Sequence, residues 1–179
     1  MEFQQSRTYT NLENAYQSQL MFSTLLRIFA DRARLDGYIE ISNIFEATSG
    51  NEKEHARIWL RNLNNGNLPN TEQNLLTAAN ESRESGNQYR EYSSIAREEG
   101  YDDIAALFNG VANIELNHDL QFRSLYNQVL RDEVFCKPDI TLWICLQCGN
   151  IMSGICAPEI CPVCGFPQGY YKEFFQQPL

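Results

Sequence analysis

Long apolar runs are missing from this 179-residue chain. No stretch approaches the roughly 18 to 20 consecutive apolar residues that a membrane-spanning helix requires. The first ten residues, MEFQQSRTYT, have no basic segment leading into an apolar one, so nothing there reads as a secretory signal. Positive charge is scarce as well. With 14 Lys and Arg against 23 Asp and Glu, the net charge is −9, which repels a phosphate backbone or an anionic bilayer and argues against nucleic acid and membranes as partners. These absences predict a soluble cytoplasmic protein. Six cysteines are present, but four of them form two Cys-x-x-Cys pairs, a pattern that suits reduced thiols on a metal better than a disulfide framework. Histidine is rarer still, with two copies, His55 and His118.

Each histidine closes the same element, Glu-x-x-His: Glu52 with His55, and Glu115 with His118. On a helix, residues three apart share a face, and paired Glu-x-x-His helices facing a bundle interior are how di-iron and di-manganese carboxylate proteins hold their metals. The element by itself is weak, because it recurs by chance on solvated helix faces. Its setting gives it meaning.

The pattern is helical from about residue 10 to residue 132. Thr10 with Glu13 reads as a capping box, followed by a seam of Leu12, Ala15, Gln19, Phe22, Leu26, Phe29 and Ala33 that stops at Gly37. A second helix carries Ile41, Phe45, Thr48, Glu52, His55 and Trp59 on one seam and ends near Asn64-Asn65-Gly66. After a linker containing Pro69, Asn70 is placed to cap a third helix. Its inner face includes Ala78, Glu81, Ser85, Gln88, Tyr92 and Ile95, with Glu84 one turn from Glu81. The fourth seam, Ile104, Phe108, Val111, Glu115, His118, Phe122 and Leu125, is apolar except for one acid and one histidine.

The chain also repeats itself. Gly37-Tyr38, Phe45, Glu52 and His55 recur 63 residues later as Gly100-Tyr101, Phe108, Glu115 and His118, which implies two related helix hairpins and hence a four-helix bundle. A pseudo-twofold arrangement brings the two Glu-x-x-His elements to its centre. Burying Glu52, Glu81 and Glu115 with no cation between them would cost several kcal/mol each, so a metal reading outweighs that of satisfied core polar groups. Mixed carboxylate and imidazole ligands point to iron or manganese.

Beyond about residue 132 the chain becomes short of helix formers and rich in cysteine, proline and aromatics. The segment WICLQCGNIMSGICAPEICPVCGFPQGYY holds Cys145-x-x-Cys148 and Cys161-x-x-Cys164, and 12 residues separate the inner pair. Two such knuckles can close tetrahedrally on one metal. Iron and zinc both fit; the first makes a redox centre, the second a strut for a domain too small for its own core. Cys136 and Cys156 lie outside the knuckles and read as spare thiols. The division expected is a helical domain over residues 1–135 and a cysteine domain over residues 136–179.

Together NLENAYQSQ, EATSGNEKEHA, NLLTAANESRES, EEGYDDIAALF and the knuckle segment resemble rubrerythrin, a family that joins a ferritin-like di-iron four-helix bundle to a rubredoxin-like domain. The resemblance implies a peroxidase that reduces hydrogen peroxide to water as a defence against oxidative stress. Electrons would enter from an external donor, such as a rubredoxin or an NAD(P)H-dependent reductase, through the tetrathiolate iron. It also implies a homodimer or larger assembly, in which one chain's rubredoxin-like domain approaches another's di-iron site. By position, Glu52 and Glu115 match the bridging glutamates, His55 and His118 the imidazole ligands, and Glu81 the terminal carboxylate of the third helix. Glu84 matches the glutamate that exchanges with the second-helix histidine, and Tyr89 a tyrosine near the site, with a core aromatic as the other reading. Cys145, Cys148, Cys161 and Cys164 match the rubredoxin-like iron ligands.

One departure stands out. Where the family motif runs Ala-Phe-Ala-Gly-Glu, this chain has Ala15-Tyr16-Gln17-Ser18-Gln19, and no Asp or Glu occurs between Glu13 and Asp31. Gln19 therefore stands where a terminal carboxylate is expected. Its amide oxygen can coordinate but is neutral and weaker toward a hard cation. The alternative function that follows is an iron-binding or electron-transfer protein with an impaired di-iron site.

Overall fold

The computed structural model describes residues 2–175. Four long helices, α1 (Arg7–Leu35), α2 (Ile39–Leu63), α3 (Thr71–Glu98) and α4 (Asp102–Leu130), precede three short strands, β1 (Cys136–Cys145), β2 (Ile151–Cys156) and β3 (Tyr171–Glu173). The mainly helical reading with a small C-terminal cysteine domain is thus the observed fold class. Two compact units divide the chain, the first ending at Asn70 and the second starting at Thr71.

The first helix begins earlier than the sequence suggests. Ser6 is its N-cap, its hydroxyl accepting from the Tyr9 backbone N–H at 3.1 Å, so Thr10 and Glu13 lie inside the helix and form no capping box. A serine preceding good helix formers captures the free N–H groups one turn sooner. Gly37 and Gly100 end α1 and α3 in the same way. Both have φ of +84°, and the next residue closes the turn, Tyr38 N–H to Ala33 O and Tyr101 N–H to Ala96 O, each at 2.8 Å. This is the glycine-terminated helix end that only a residue without a Cβ adopts at no cost.

Within each hairpin the helices meet over small side chains. The buried positions are Ser23, Leu26, Ala30 and Ala33 on α1 and Ser42, Ser49 and Ala56 on α2. In the second hairpin they are Ala79, Ser82, Gly86, Ser93 and Ala96 on α3 and Ala105, Ala112 and Asp119 on α4. The seven-residue spacing of Ser42, Ser49 and Ala56 returns 63 positions later as Ala105, Ala112 and Asp119, so the internal repeat is the repeat of this contact. The apolar seams expected from sequence need correction here. Apart from Leu26 and Ala33, they flank the hairpin contact, because two helices approach most closely over residues without bulk. Phe22, Phe29, Ile41 and Val111 accordingly remain exposed.

Side-chain hydrogen bonds set the register. Ser23 Oγ donates to Ser49 O at 2.9 Å while Ser49 Oγ donates to Ser23 O at 2.8 Å. One repeat on, Gly86 takes the place of Ser23, and a Cβ there would stand 3.4 Å from the Ala112 carbonyl and 3.5 Å from Glu115 Cβ. Beside it lies a charged contact the sequence reading missed. Asp119, 1% exposed, accepts from Arg83 Nε of α3 at 3.1 Å and from Arg123 Nε at 2.7 Å, and Arg123 Nη2 also reaches Asn80 Oδ1 at 3.1 Å. Burial raises the Asp119 pKa, but hydrogen bonds and charge from Arg83 and Arg123 outweigh it and hold the carboxyl below its usual 3.8.

A carboxylate held low stabilises the fold fully above its unfolded pKa and ceases to do so as pH falls through the folded value. We predict that Asp119→Asn lowers Tm by several degrees at neutral pH, since it strands two guanidinium groups. The gap between variant and parent should shrink as pH falls below 3.8, and thermal melts at a series of pH values measure it. A gap independent of pH would show that the charge contributes nothing.

The sheet has strand order β2-β1-β3, all pairs antiparallel. β1 pairs with β2 from Thr141↔Gly154 to Ile144↔Ile151, loses register over residues 137–140, and pairs once more at Cys136↔Cys156. At that pair the chain departs from the expectation of spare thiols: Cys136 and Cys156 are joined as a disulfide, their Cα atoms 4.0 Å apart. Facing positions on antiparallel strands bring their Cβ atoms within bonding reach. Spacing along the sequence carried no sign of this, because the pairing depends on how far β1 slips against β2.

Candidate metal centres

The four knuckle cysteines form one cluster, all four sulfurs lying within 4.8 Å of one another. Each knuckle is built alike. Cys145 N–H donates to Asn150 O and Gly149 N–H to Cys145 O, while Cys161 N–H donates to Phe166 O and Gly165 N–H to Cys161 O. Gly149 and Gly165 supply φ of +76° and +74°. The sulfurs meet across the knuckles, Cys145 with Cys164 and Cys148 with Cys161, each pair 3.7 Å apart. A tetrahedral metal with sulfurs at about 2.3 Å sets sulfur–sulfur edges of roughly 3.8 Å. The observed spacing therefore fits a single metal ion.

The electrostatics fit it too. Cys161 is brought down to about 6, first by the Tyr171 hydroxyl beside it and then by the Cys164 and Val163 backbone N–H groups against burial. Cys164 is pushed up to about 12: the Phe166 backbone N–H favours its thiolate, but burial and the neighbouring Cys148, Cys161 and Cys145 sulfurs disfavour it. Four sulfurs this close do not all ionise without a cation among them. Tyr171 Oη and Asn150 Nδ2 are buried with no conventional hydrogen-bond partner. The Tyr171 hydroxyl, whose own pKa rises to about 12 chiefly through Cys161, is a donor held ready for thiolate charge. Neither residue stood out in the sequence, because β3 and the end of the first knuckle meet only in the fold.

The carboxylate and histidine candidates occur in both units. In α2, His55 Nδ1 lies 3.3 Å from Glu52 Oε2; in α4, His118 Nδ1 lies 3.5 Å from Glu115 Oε2. Both separations are long for a charge-assisted hydrogen bond. They match two donor atoms about 2.1 Å from one metal at angles of roughly 90–115°, which lie about 3.0–3.5 Å apart. The glutamates are the more buried of each pair, 16% and 24% exposed, while the imidazoles are 51% and 46% exposed. Glu81 and Glu84 are exposed on α3. Tyr89 is half-buried in an aromatic group, its ring stacked on Phe108 at 6.0 Å and edge-on to Tyr92 at 6.2 Å. Among the described residues, the four cysteines are the only metal-capable cluster of three or more such groups. Gln19, Glu52 and His55 belong to the first unit, and Glu81, Glu84, Glu115 and His118 to the second.

Gln19 carries its own signature. Its Oε1 is buried and accepts no hydrogen bond. Because Ser23 pairs with Ser49 in an antiparallel hairpin, Gln19, one turn before Ser23, stands opposite the turn that begins at Glu52. A buried carbonyl oxygen without a donor is costly, and a cation is the partner that this donor set would supply.

A family model described as Rubrerythrin matches residues 10–126, and another, described as Rubrerythrin, rubredoxin-like domain, matches residues 143–172. The chain belongs to the rubrerythrin family. It is similar to the rubrerythrin of Clostridium perfringens, 35% identical over 185 residues that cover 94% of this chain and 95% of that protein. The rubrerythrin of Nitratidesulfovibrio vulgaris is 32% identical over 179 residues, covering 93% and 94%. A solved structure described as "Mixed valant state of nigerythrin" aligns with a TM-score of 0.36 and 23% identity, covering 94% of this chain and 87% of that one. Rubrerythrin membership gives the helices their place as a ferritin-like domain and β1 to β3 theirs as a rubredoxin-like domain that can hold a metal ion. Among the described residues, no helix is long and apolar enough to cross a membrane.

Proposed function

We propose that this rubrerythrin-family chain is a cytoplasmic non-haem di-iron peroxidase that reduces hydrogen peroxide to water. Glu52, His55, Glu81, Glu84, Glu115 and His118 hold the irons, with Gln19 Oε1 as a neutral additional ligand. An iron pair bound there would supply the two electrons that cleaving an O–O bond requires. The observation that carries the reading is the matched pair of Glu-x-x-His elements one repeat apart, with donor atoms 3.3 and 3.5 Å apart. Glu84 and His55 are exposed side chains, and this suits ligands that exchange as the metal changes charge.

Cys145, Cys148, Cys161 and Cys164 would hold an iron that accepts electrons from an external donor, a rubredoxin or an NAD(P)H-dependent reductase, for the helical site. Tyr171 and Asn150 stabilise thiolate charge there. A homodimer or larger assembly brings the two kinds of centre together. The functional domains are residues 1–135 and 136–179.

Gln19 favours one competing reading, an iron-binding or electron-transfer protein without turnover. Four carboxylates balance the charge of two ferrous ions and leave a diferric pair less neutralised than five would. Stopped-flow oxidation of the fully reduced, iron-loaded protein separates the two readings. We predict oxidation by stoichiometric peroxide much faster than by oxygen; slow oxidation with no preference for peroxide would leave the carrier reading standing.

A further inference from the structure

Cys136 and Cys156 take no part in either metal centre. They are also absent from the buried cluster of the small domain, which comprises Trp143, Cys145, Ala157, Cys161 and Tyr171. The pair lies outside the continuous part of the β1–β2 ladder, beyond a break in which residues 137–140 face Ile155 alone. Cys156 is exposed. Cys136 follows the end of α4 by six residues, so the bond ties the exit from the helical domain to the far end of β2. The other ties at this place among the described residues are non-covalent: Ala157 N–H to Phe135 O at 2.8 Å, Phe135 packed against the buried cluster, and Lys137 Nζ to Gln128 Oε1 at 3.1 Å and to Glu173 Oε2 at 3.7 Å.

We propose that Cys136 and Cys156 form a reversible dithiol–disulfide couple, a site for exchange with a thiol reductant, that clamps the connection between α4 and the four-cysteine domain when oxidised and releases it when reduced. A disulfide enclosed in a buried core is shielded and permanent, whereas one at an exposed residue next to a broken ladder is accessible to a reductant thiolate. Reduction proceeds in two displacements. A reductant thiolate attacks Cys156 Sγ, the S–S bond breaks, and Cys136 leaves as a thiolate that takes a proton. The reductant's second thiolate then attacks the mixed disulfide, releasing Cys156 as a thiol and leaving the reductant as its own disulfide. Two electrons pass to the pair, and the reverse sequence with a disulfide oxidant such as oxidised glutathione restores the bond.

The test uses the full-length metal-loaded protein, so that bound metal occupies the four knuckle thiolates, and counts alkylated thiols by mass spectrometry after treatment with dithiothreitol and then with oxidised glutathione. We expect two modified cysteines, Cys136 and Cys156, after the reductant and neither after the oxidant. Amide exchange over residues 132–140 should be several-fold faster in the reduced form. In Cys136→Ser that difference should disappear, with exchange as fast as in the reduced parent. Three results overturn the proposal: a disulfide that excess dithiothreitol leaves intact in the folded protein, thiols that oxidised glutathione cannot join, or exchange over 132–140 that is the same in both forms. No peroxide is used, so the outcome is independent of turnover at the helical ligands.

Discussion

Replacing Cys161 with serine is expected to release the metal from the four-cysteine site and unfold β1 to β3 while the four helices persist. The small domain buries five side chains in its cluster, and two of them, Cys145 and Cys161, belong to the four-cysteine group that can hold a metal ion. A unit this size lacks the apolar area to offset its chain entropy, so metal–thiolate bonds contribute folding energy directly. Serine offers a poor ligand for a thiophilic ion, and its hydroxyl would sit where a 1% exposed sulfur now lies. Trp143, also 1% exposed and donating Nε1 to Gly154 O at 3.1 Å, is the reporter. In a Trp59→Phe background its emission should move to the red when the metal is lost, with helical circular dichroism nearly unchanged. Emission that stays blue in the metal-free variant would show that apolar packing and the disulfide suffice.

Gln19→Glu is expected to change the metal content of the helical site more than any other single substitution that adds a ligand. A carboxylate at the buried, unpartnered Oε1 position adds one negative charge beside Glu52 and His55. It should raise iron per chain toward two in the helical domain, from the lower occupancy that a neutral ligand allows, and lower the reduction potential by favouring the ferric state. Gln19→Leu removes the oxygen and should act in the opposite direction. Metal analysis with Mössbauer spectroscopy on iron-loaded protein reads both variants, and the four-cysteine site, loaded with iron in the same preparation, serves as internal reference. Equal iron content in parent, Gln19→Glu and Gln19→Leu would place Gln19 outside the site.

Much of this was legible before any coordinates. Four helices follow from apolar periodicity, and their glycine stops from Gly37 and Gly100, because helix ends are local events decided within a turn. The knuckles follow from Cys-x-x-Cys spacing, since a four-residue loop fixes the distance between its own sulfurs. The buried hairpin seams were misread for a physical reason: hydrophobicity marks bulk, whereas close helix approach selects Ser, Ala and Gly. Asp119 escaped notice on similar grounds. Its partner Arg83 is 36 residues away, and its near partner Arg123, one turn on, would pair with a solvated aspartate just as well.

The sequence by itself determined which chemistry is present: two Glu-x-x-His elements, four knuckle thiols, a glutamine in place of an acid, and a repeat that doubles one hairpin. Those are properties of residue type and spacing, which short-range geometry converts directly into ligand pairs. Only the tertiary structure decided which long-range partners meet: that Cys136 faces Cys156, that Tyr171 returns to Cys161, that Asp119 bridges two arginines, and that Gln19 Oε1 is buried without a donor. Each depends on the register of one element against another. A shift of one residue in that register would turn the same side chains to solvent.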